Sequence, residues 1–301
     1  MSIANLFGAM PGACAQGLIW GIMAIGVFIT FKILDLADLT VDGTMATGGA
    51  VCVVLMIKGA PVWLALLCAI LAGMLAGFVT GIFHTVMGIP AILAGILTQL
   101  GLYSINLRIL GGANLAISVD KYPLLISLRF INKTLLITCI IILLLIGVLY
   151  WFFGTELGSG IRATGSNPKM ASAQGININV NKILGLMLSN GIVAFASGLY
   201  AQYQGFADVN AGRGAIVIGL AAVIIGEVIF GKIFRNFALR LLGVAFGAVI
   251  YYLVLQVVLW LGLNANDLKL LSAIVVAIFL AAPVLLEKMR IKRSYSEGGN
   301  D

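Results

Sequence analysis

Long apolar stretches recur along this sequence, and their length limits the folds that are open to it. Seven of them approach the ~20 residues that a helix needs to cross the hydrocarbon core of a membrane. They are residues 12–31, 61–83, 88–107, 134–153, 182–204, 238–260 and 270–287. Two shorter stretches, 43–57 and 215–230, would rise only about 22–24 Å as helices, against a core of roughly 30 Å. We predict an all-α polytopic membrane protein with about nine transmembrane segments, two of them short or broken.

The composition supports this fold class. Only 10% of the 301 residues are charged and 61% are hydrophobic, whereas soluble domains carry about a quarter charged residues to cover their surface. Most of the surface must therefore face lipid, and residues 1–301 are predicted to form a single transmembrane domain. Gly73, Gly77 and Gly81 repeat every four residues. This spacing allows two helix backbones to approach closely within a membrane.

The basic residues predict an orientation. Lys288, Arg290, Lys292 and Arg293 lie in the terminal segment 288–301, and basic residues concentrate in cytoplasmic segments. If the C-terminal tail is cytoplasmic, counting back through nine membrane crossings places the N-terminus outside and the polar loop 154–181 inside. The net charge of +7 is accounted for in this way, so nucleic acid is not predicted as a partner.

A faint internal repeat precedes the two short apolar segments. Residues 37–43 read ADLTVDG and residues 207–212 read ADVNAG. In the predicted orientation they lie on opposite sides of the membrane, as in an inverted repeat of the kind that transporters use. The alternative is a chance match of a few residues.

The loop 154–181 contains signals for a short helix of its own. Asn167 is a good N-cap, Pro168 suits the first helical position, and Gly175 suits the residue after the end. Such a helix on the cytoplasmic side is either a docking element or one turn within a plain connection.

Three acidic residues mark the approach to the first short segment. Asp35, Asp38 and Asp42 have the spacing i, i+3, i+7, which places them on one face if the segment is helical. With Thr40 and Thr44 nearby, they could form a wall or gate of a translocation path. The alternative is a solvated turn in which Thr40 or Asp42 caps the next helix.

Further polar side chains lie within or beside the apolar stretches. Glu227 is a functional candidate because an ionisable residue in a membrane segment is costly, unless it only marks the end of the segment. The amides in or near apolar helices are either interhelical hydrogen-bond partners or solute ligands. They are Gln99, Asn106, Asn190, Gln202 and Gln204.

Two patterns imitate known sites without meeting their chemical requirements. The run from Gly226 to Lys232 resembles a phosphate-binding loop, but Ile233 stands where a Ser or Thr would hold magnesium. His84 has no second histidine or cysteine near it in the sequence, and the four cysteines form no C-x-x-C pair. We therefore predict no catalytic residue, no metal site and no cofactor in this chain.

Several separate segments resemble one family of membrane proteins. They are residues 40–43 (TVDG), 184–191 (LGLMLSNG), 201–209 (AQYQGFADV), 216–227 (IVIGLAAVIIGE) and 264–269 (NANDLK). Together they resemble the permeases of ABC importers in the branched-chain amino acid and ribose permease superfamily. The most similar group is that described as tryptophan/tyrosine transport permeases, and the resemblance covers nearly the whole chain.

The resemblance implies partners and a location. Two permease subunits would pair in a bacterial plasma membrane and rest on two cytoplasmic ATPases, which bind ATP and magnesium. An extracytoplasmic binding protein would deliver the solute. The residues matching the coupling helix of the family are Arg162, Gly165, Asn167, Pro168, Ala171, Gly175 and Ile176. The candidate path or gate residues are Asp38, Thr40, Asp42, Thr44, Asn190, Gln202, Gln204, Asp208 and Glu227.

The resulting functional prediction is the permease subunit of an ATP-driven importer of a small solute, with an amino acid, possibly an aromatic one, as the expected class. One alternative is a stand-alone transporter coupled to protons or sodium, which would need an ionisable relay deep in the helices. Another is a membrane-embedded enzyme, for which the sequence offers no nucleophile, metal cluster or acid–base pair.

Overall fold

The computed structural model describes residues 3–231, 233–234 and 236–261, together with residues 270, 273–274, 276–278 and 281. Ten α-helices and two short strands lie within the described residues. The helices are α1 (Ile3–Phe28), α2 (Thr40–Ile57), α3 (Val62–Thr85), α4 (Ala91–Leu110), α5 (Ile131–Phe153), α6 (Glu156–Ser166), α7 (Pro168–Ala173), α8 (Ile178–Gln204), α9 (Ala215–Phe230) and α10 (Phe237–Trp260). The strands are β1 (Asn114–Ala116) and β2 (Phe206–Asp208).

Seven of the described helices are long and apolar enough to cross a membrane, namely α1 to α5, α8 and α10. The prediction of an all-α polytopic membrane protein is therefore confirmed. Helix α1 is extended by a π-helical turn at Ile29–Ile33. The predicted segment 270–287 is described only at isolated residues, and the predicted tail 288–301 lies outside the described residues.

The two short segments differ from each other. The segment 43–57, predicted to be short or broken, belongs to an unbroken helix of 18 residues that begins at Thr40. The polar residues before Gly43 are helical because they find hydrogen-bond partners inside the protein. Helix α9 has 16 residues, so it rises only about 24 Å and remains too short to cross a core of roughly 30 Å.

Helices α1, α2 and α8 are the most buried of the seven and form the centre of the bundle. Helix α3 packs along α8, and α1 packs along α10, so the first and second halves of the chain interlock. Helix α2 lies among α3, α4 and α8, while α9 lies against α1 and α10. The two related sequences meet in the structure, because Gly212 lies against the carbonyl of Asp42 and the carboxylate of Asp42 accepts from Gly214 and Ile216. Their predicted placement on opposite sides of the membrane is therefore wrong, and their relation as an inverted repeat stays a prediction.

The glycines of α3 lie where this helix meets α8. A Cβ atom at Gly73 would clash with the carbonyl of Asn190, and one at Gly77 would clash with the carbonyl of Leu186. One at Gly81 would lie 2.9 Å from the side chain of Ile183. The absence of side chains at these positions allows α3 and α8 to touch through their backbones.

A small two-stranded sheet joins the segment after α4 to the segment after α8. β1 and β2 are antiparallel, with Asn114 opposite Asp208 and Ala116 opposite Phe206. The backbone N–H of Val209 continues the pairing by donating to the carbonyl of Ala113. The sheet fixes the path of the chain from the end of α8 towards the start of α9.

Candidate functional site

The connection between the π-helical turn and α2 carries two of the three predicted acidic residues. Residues 34–39 are not helical, and Asp35 has a left-handed backbone with φ 54°. Asp35 is exposed, Asp38 is buried and Asp42 lies in the first turn of α2. The prediction of an acidic stripe on one helical face is therefore wrong, because the turn at Asp35 breaks the helical spacing before α2 begins.

Asp38 is held in the core by groups from two helices. One carboxylate oxygen accepts the backbone N–H of Thr40 at 2.9 Å, in the manner of an Asx turn, and the other accepts from the amide nitrogen of Asn190 at 2.7 Å. The same amide nitrogen donates to the carbonyl of Leu186, while the amide oxygen of Asn190 accepts from the hydroxyl of Thr44 at 2.7 Å. Every polar atom of the Asn190 side chain thus has a partner.

Three threonines continue this network across three helices. The hydroxyl of Thr40 on α2 lies 2.7 Å from that of Thr80 on α3, which lies 2.8 Å from that of Thr98 on α4. Each of the three side chains is buried. Thr40 and Thr44 therefore serve the contacts between helices, and a contact with solute stays a prediction for them, as it does for Asp38 and Asn190.

Asp42 caps the start of α9. Its carboxylate accepts the backbone N–H groups of Gly214 at 3.0 Å and Ile216 at 2.9 Å. A negative charge is stabilising at this position because the first N–H groups of a helix are free and carry partial positive charge. Gly212 lies so close to the carbonyl of Asp42 that a Cβ there would clash.

The opposite end of α9 carries an ion pair that is partly exposed in the single chain. Glu227, in its last turn, forms a 2.7 Å ion pair with Lys32 of the π-helical turn, and both side chains are more than a third exposed. Glu227 thus lies at the end of its helix, not in the middle of an apolar segment. Since α9 rises only about 24 Å, it is shorter than a hydrocarbon core of roughly 30 Å.

A cavity of about 330 Å³ lies beside the first turn of α9. Its lining includes Asp42 of α2, three residues of α4 (Gln99, Tyr103 and Asn106) and Arg213 of the segment before α9. Asn106 is fully buried, and neither polar atom of its amide has a hydrogen-bond partner among the described residues.

Arg213 is the basic residue of this cavity. Its guanidinium lies 5.8 Å from the centre of the Tyr103 ring, and both side chains are exposed in the single chain. Within the described part of the chain, Arg213 has no carboxylate within salt-bridge distance. The cavity therefore presents one free cation, one carboxylate and one unpartnered amide.

The other predicted path residues lie elsewhere. The side-chain oxygen of Gln202 accepts the N–H of Leu125 at 3.0 Å, and Gln204 donates to the hydroxyl of Tyr200 at 2.6 Å. Asp208 lies in β2, where its carboxylate accepts the N–H of Asn210. These three residues hold the end of α8 and the loop that follows it, so the structure does not bring them to the cavity.

The loop 154–181 contains the predicted short helix. α7 begins with Pro168, and the side chain of Asn167 caps it by accepting the N–H of Met170 at 3.1 Å. Gly175 follows the helix with a left-handed φ of 79°. The helix predicted from Asn167 to Gly175 is confirmed, whereas its role in docking stays a prediction.

A second helix in this loop, α6, is not evident from the sequence. It carries Arg162, which lies 5.8 Å from the ring of Phe237. It also carries Gly165, whose backbone touches the carbonyl of Ile33 so closely that no Cβ would fit. Gly165 is therefore a point of close helix packing.

Ala171 does not lie on the outer surface of α7. Its side chain is 3% exposed, whereas Met170 is 63% exposed and Lys169 is also open to solvent. Ile176 is half-buried at the base of α8. A partner that docks on α7 would therefore meet Lys169 and Met170, while Ala171 anchors the helix to the rest of the protein.

Tyr103 and Arg213 were not predicted as site residues, and Gln99 and Asn106 were predicted as either interhelical hydrogen-bond partners or solute ligands. One signal was present for Arg213, because it is a basic residue directly before a helix too short to cross the membrane. Among the residues that the structure describes, no group of three or more His, Cys, Asp or Glu could hold a metal ion.

Comparison with known proteins connects this architecture to transport. The chain matches the family described as branched-chain amino acid transport system / permease component over residues 10–283. It is 40% identical over 273 residues to the tyrosine transport system permease protein of Clostridioides difficile, and the aligned residues cover 88% of each chain. It is 28% identical over 252 residues to the fructose import permease protein FruF of Bifidobacterium longum, which covers 80% of this chain and 68% of that protein.

One solved structure has a related fold. PsaBC from Streptococcus pneumoniae in complex with Fab superposes with a TM-score of 0.52, covering 92% of this chain and 95% of that chain. The identity of 16% limits this likeness to the fold.

Proposed function

Since the chain belongs to the permease family of branched-chain amino acid transport systems, and is thus the permease of an ABC-type transport system for small solutes, we propose that it imports an amino acid with an aromatic side chain. The relative at 40% identity is named for tyrosine transport. The observation that carries the proposal is the cavity at the start of α9, where a helix too short to cross the membrane begins beside polar residues. Transporters place solute sites at such broken or shortened helices.

The proposed assembly contains two copies of this chain, two cytoplasmic ATPases that bind ATP and magnesium, and an extracytoplasmic binding protein. It lies in a bacterial plasma membrane with the C-terminus of the permease in the cytoplasm. The exposed face of α7, with Lys169 and Met170, is the proposed contact for the ATPase.

The packing of α6 supports a route from α7 into the bundle. Gly165 touches the carbonyl of Ile33, and the amide of Asn181 on α8 donates to the hydroxyl of Thr164 at 3.2 Å. A displacement of α7 would therefore press on the base of α1 and on α8. The Lys32–Glu227 pair lies beside this base, so the displacement can bias the switch between two states of the path.

The alternative of a stand-alone proton- or sodium-coupled transporter is set aside because the family is that of ABC-type systems. Of the acidic residues that could form its relay, Asp35 is exposed, and Glu227 is more than a third exposed and paired with Lys32. Asp38 and Asp42 are held by hydrogen bonds from Asn190 and from the start of α9.

The assembly can be tested by co-purifying the chain with the ATPase subunit of its system. Met170→Asp adds a charge to the exposed face of α7, and we expect loss of the ATPase with an unchanged melting temperature of the permease. Leu128→Asp makes the same type of change at a side chain that is 50% exposed in the loop before α5, and the ATPase should remain bound. Retention of the ATPase by Met170→Asp would contradict the docking role of α7.

A further inference from the structure

The cavity beside α9 contains a buried polar group that the protein leaves without a partner. Both polar atoms of the Asn106 amide lack a hydrogen bond among the described residues, although the side chain is fully buried. Such a group is destabilising, and natural proteins rarely keep one without a functional reason. Asn106 borders the cavity with its polar atoms closed off, so a small shift of the lining side chains would let a ligand there supply both a donor and an acceptor.

Arg213 is a second group without a partner of opposite charge. It follows β2 and directly precedes α9, a helix too short to cross the membrane. Charged side chains within a membrane protein's span face a water-filled cavity or pair with one another. Within the described residues Arg213 has a ring contact with Tyr103 and no ion pair. It is therefore available to bind an anionic group of a ligand.

Asp42 supplies the opposite charge. Its carboxylate is fixed by the N–H groups of Gly214 and Ile216, yet a carboxylate offers about four acceptor positions. The residue also lines the cavity, so acceptor capacity remains for a cationic group. A ligand with one positive and one negative group would satisfy both Asp42 and Arg213.

The size and apolar lining of the cavity bear on the rest of the ligand. Its volume of about 330 Å³ lies at the lower end of the roughly 300–1,000 Å³ of small-molecule sites. Tyr103 offers a ring face, with Leu100 and Ala46 beside it in the lining. A single amino acid with a flat or apolar side chain fits this description better than a sugar, which would use neither charge.

We propose that this cavity binds a zwitterionic α-amino acid, with Arg213 on the carboxylate, Asp42 on the ammonium group, and Asn106 supplying the remaining hydrogen bonds. Tyr103 packs against the ligand side chain and holds the Arg213 guanidinium in place. This inference rests on the proposed import of an amino acid, and it assigns the recognition of the amino acid backbone to residues of the permease itself.

The direct test uses the purified full-length chain and 4-azido-L-phenylalanine as a photoaffinity probe. We expect labelled peptides from α4 and from the segment around residue 213, with protection by L-tyrosine. Tyramine lacks the carboxylate and 3-(4-hydroxyphenyl)propionate lacks the ammonium group. Each should protect at least about tenfold less well, because each loses a charge-assisted hydrogen bond.

Two variants separate recognition from folding. Arg213→Gln should remove the preference for L-tyrosine over tyramine, whereas Arg129→Gln, which alters an exposed arginine paired with Asp120, should keep it. Asn106→Leu should lose protection by L-tyrosine while its melting temperature does not fall. If Asn106 had a purely structural role, its replacement would lower the melting temperature.

The outcomes distinguish the site from the proposed function. If the ATPase co-purifies and reconstituted transporters take up L-tyrosine, but Arg213→Gln and Asn106→Leu take it up at the wild-type rate, the site is wrong and the importer stands. Labelling confined to other segments would overturn the site in the same way. If no ATPase co-purifies or no amino acid is taken up by the wild-type system, the proposed function itself fails.

Discussion

Two buried asparagines, Asn190 on α8 and Asn106 on α4, have the same side chain and the same lack of exposure. Asn190 makes hydrogen bonds to Asp38, Thr44 and the carbonyl of Leu186. Asn106 makes none with the described residues. One is therefore part of the bundle's internal contacts, and the other is the one that we propose for ligand binding. Burial alone does not separate these roles, whereas the set of partners does.

The surroundings explain why the two positions differ. At Asn190 the helices are in backbone contact, since Gly73 of α3 touches its carbonyl and Gly48 of α2 touches Ala194 one turn further along. This close approach brings polar groups of three helices within hydrogen-bond distance. At Asn106, α4 is separated from the loop before α9 by a cavity.

The largest effect is expected for Asn190→Leu. It leaves Asp38 buried without its amide donor and Thr44 without its acceptor, so we expect a loss of about 3–5 kcal/mol in the free energy of unfolding. Thermal unfolding of the purified protein in detergent, followed by tryptophan fluorescence, measures it. Asn106→Leu is the matched control and should be neutral or stabilising. Equal destabilisation by both variants would remove the distinction between the two asparagines.

A smaller effect is expected where the backbones touch. In Gly73→Ala the added Cβ clashes with the carbonyl of Asn190, and separating α3 from α8 should cost about 1–3 kcal/mol. Gly147→Ala adds the same methyl group on α5 where no atom lies within 4 Å. It should gain up to about 1 kcal/mol because alanine favours the helix. A stability of Gly73→Ala equal to the wild type would mean that close approach does not support the Asn190 network.

The sequence was sufficient for features that depend on local chemistry. The lengths of the apolar stretches predicted the membrane helices, and the order Asn167, Pro168, Gly175 predicted α7 with its cap. These features depend on neighbours in the chain, so one sequence contains the information.

The sequence was insufficient wherever a role depends on distant partners. The carboxylate of Asp42 meets N–H groups more than 170 positions away, and no local pattern indicates this contact. The acidic stripe was wrong because a left-handed residue, Asp35, interrupts the helix. Ala171 was expected on a docking surface, although its side chain is buried. The cavity was missed because α4 and the loop before α9 meet only in the folded chain.

Within the Asn190 network, a single hydroxyl should have a still smaller effect. Thr44→Val removes the donor to the amide oxygen of Asn190, and we expect a cost of about 1–2 kcal/mol. Thr47→Val is the control in the same helix, because this buried hydroxyl donates only to the carbonyl of Gly43 one turn earlier. The melting temperatures of the two variants should differ. Similar values would show that Asn190 finds another donor, which would weaken its contrast with Asn106.

The smallest effect is expected at the exposed end of α9. Asp42 caps one end from a half-buried position, whereas the side chains of the Lys32–Glu227 pair at the other end are both more than a third exposed. Exposed ion pairs contribute about 0–1 kcal/mol and weaken with salt. A double-mutant cycle of Lys32→Met and Glu227→Gln should therefore give a coupling energy in that range, and a lower one in high salt. A coupling energy of several kcal/mol that does not change with salt concentration would mean that this end of α9 is shielded from water in the assembled transporter. In that case α9 would be fixed at both ends, and the cavity at its start could not respond to movements of α7.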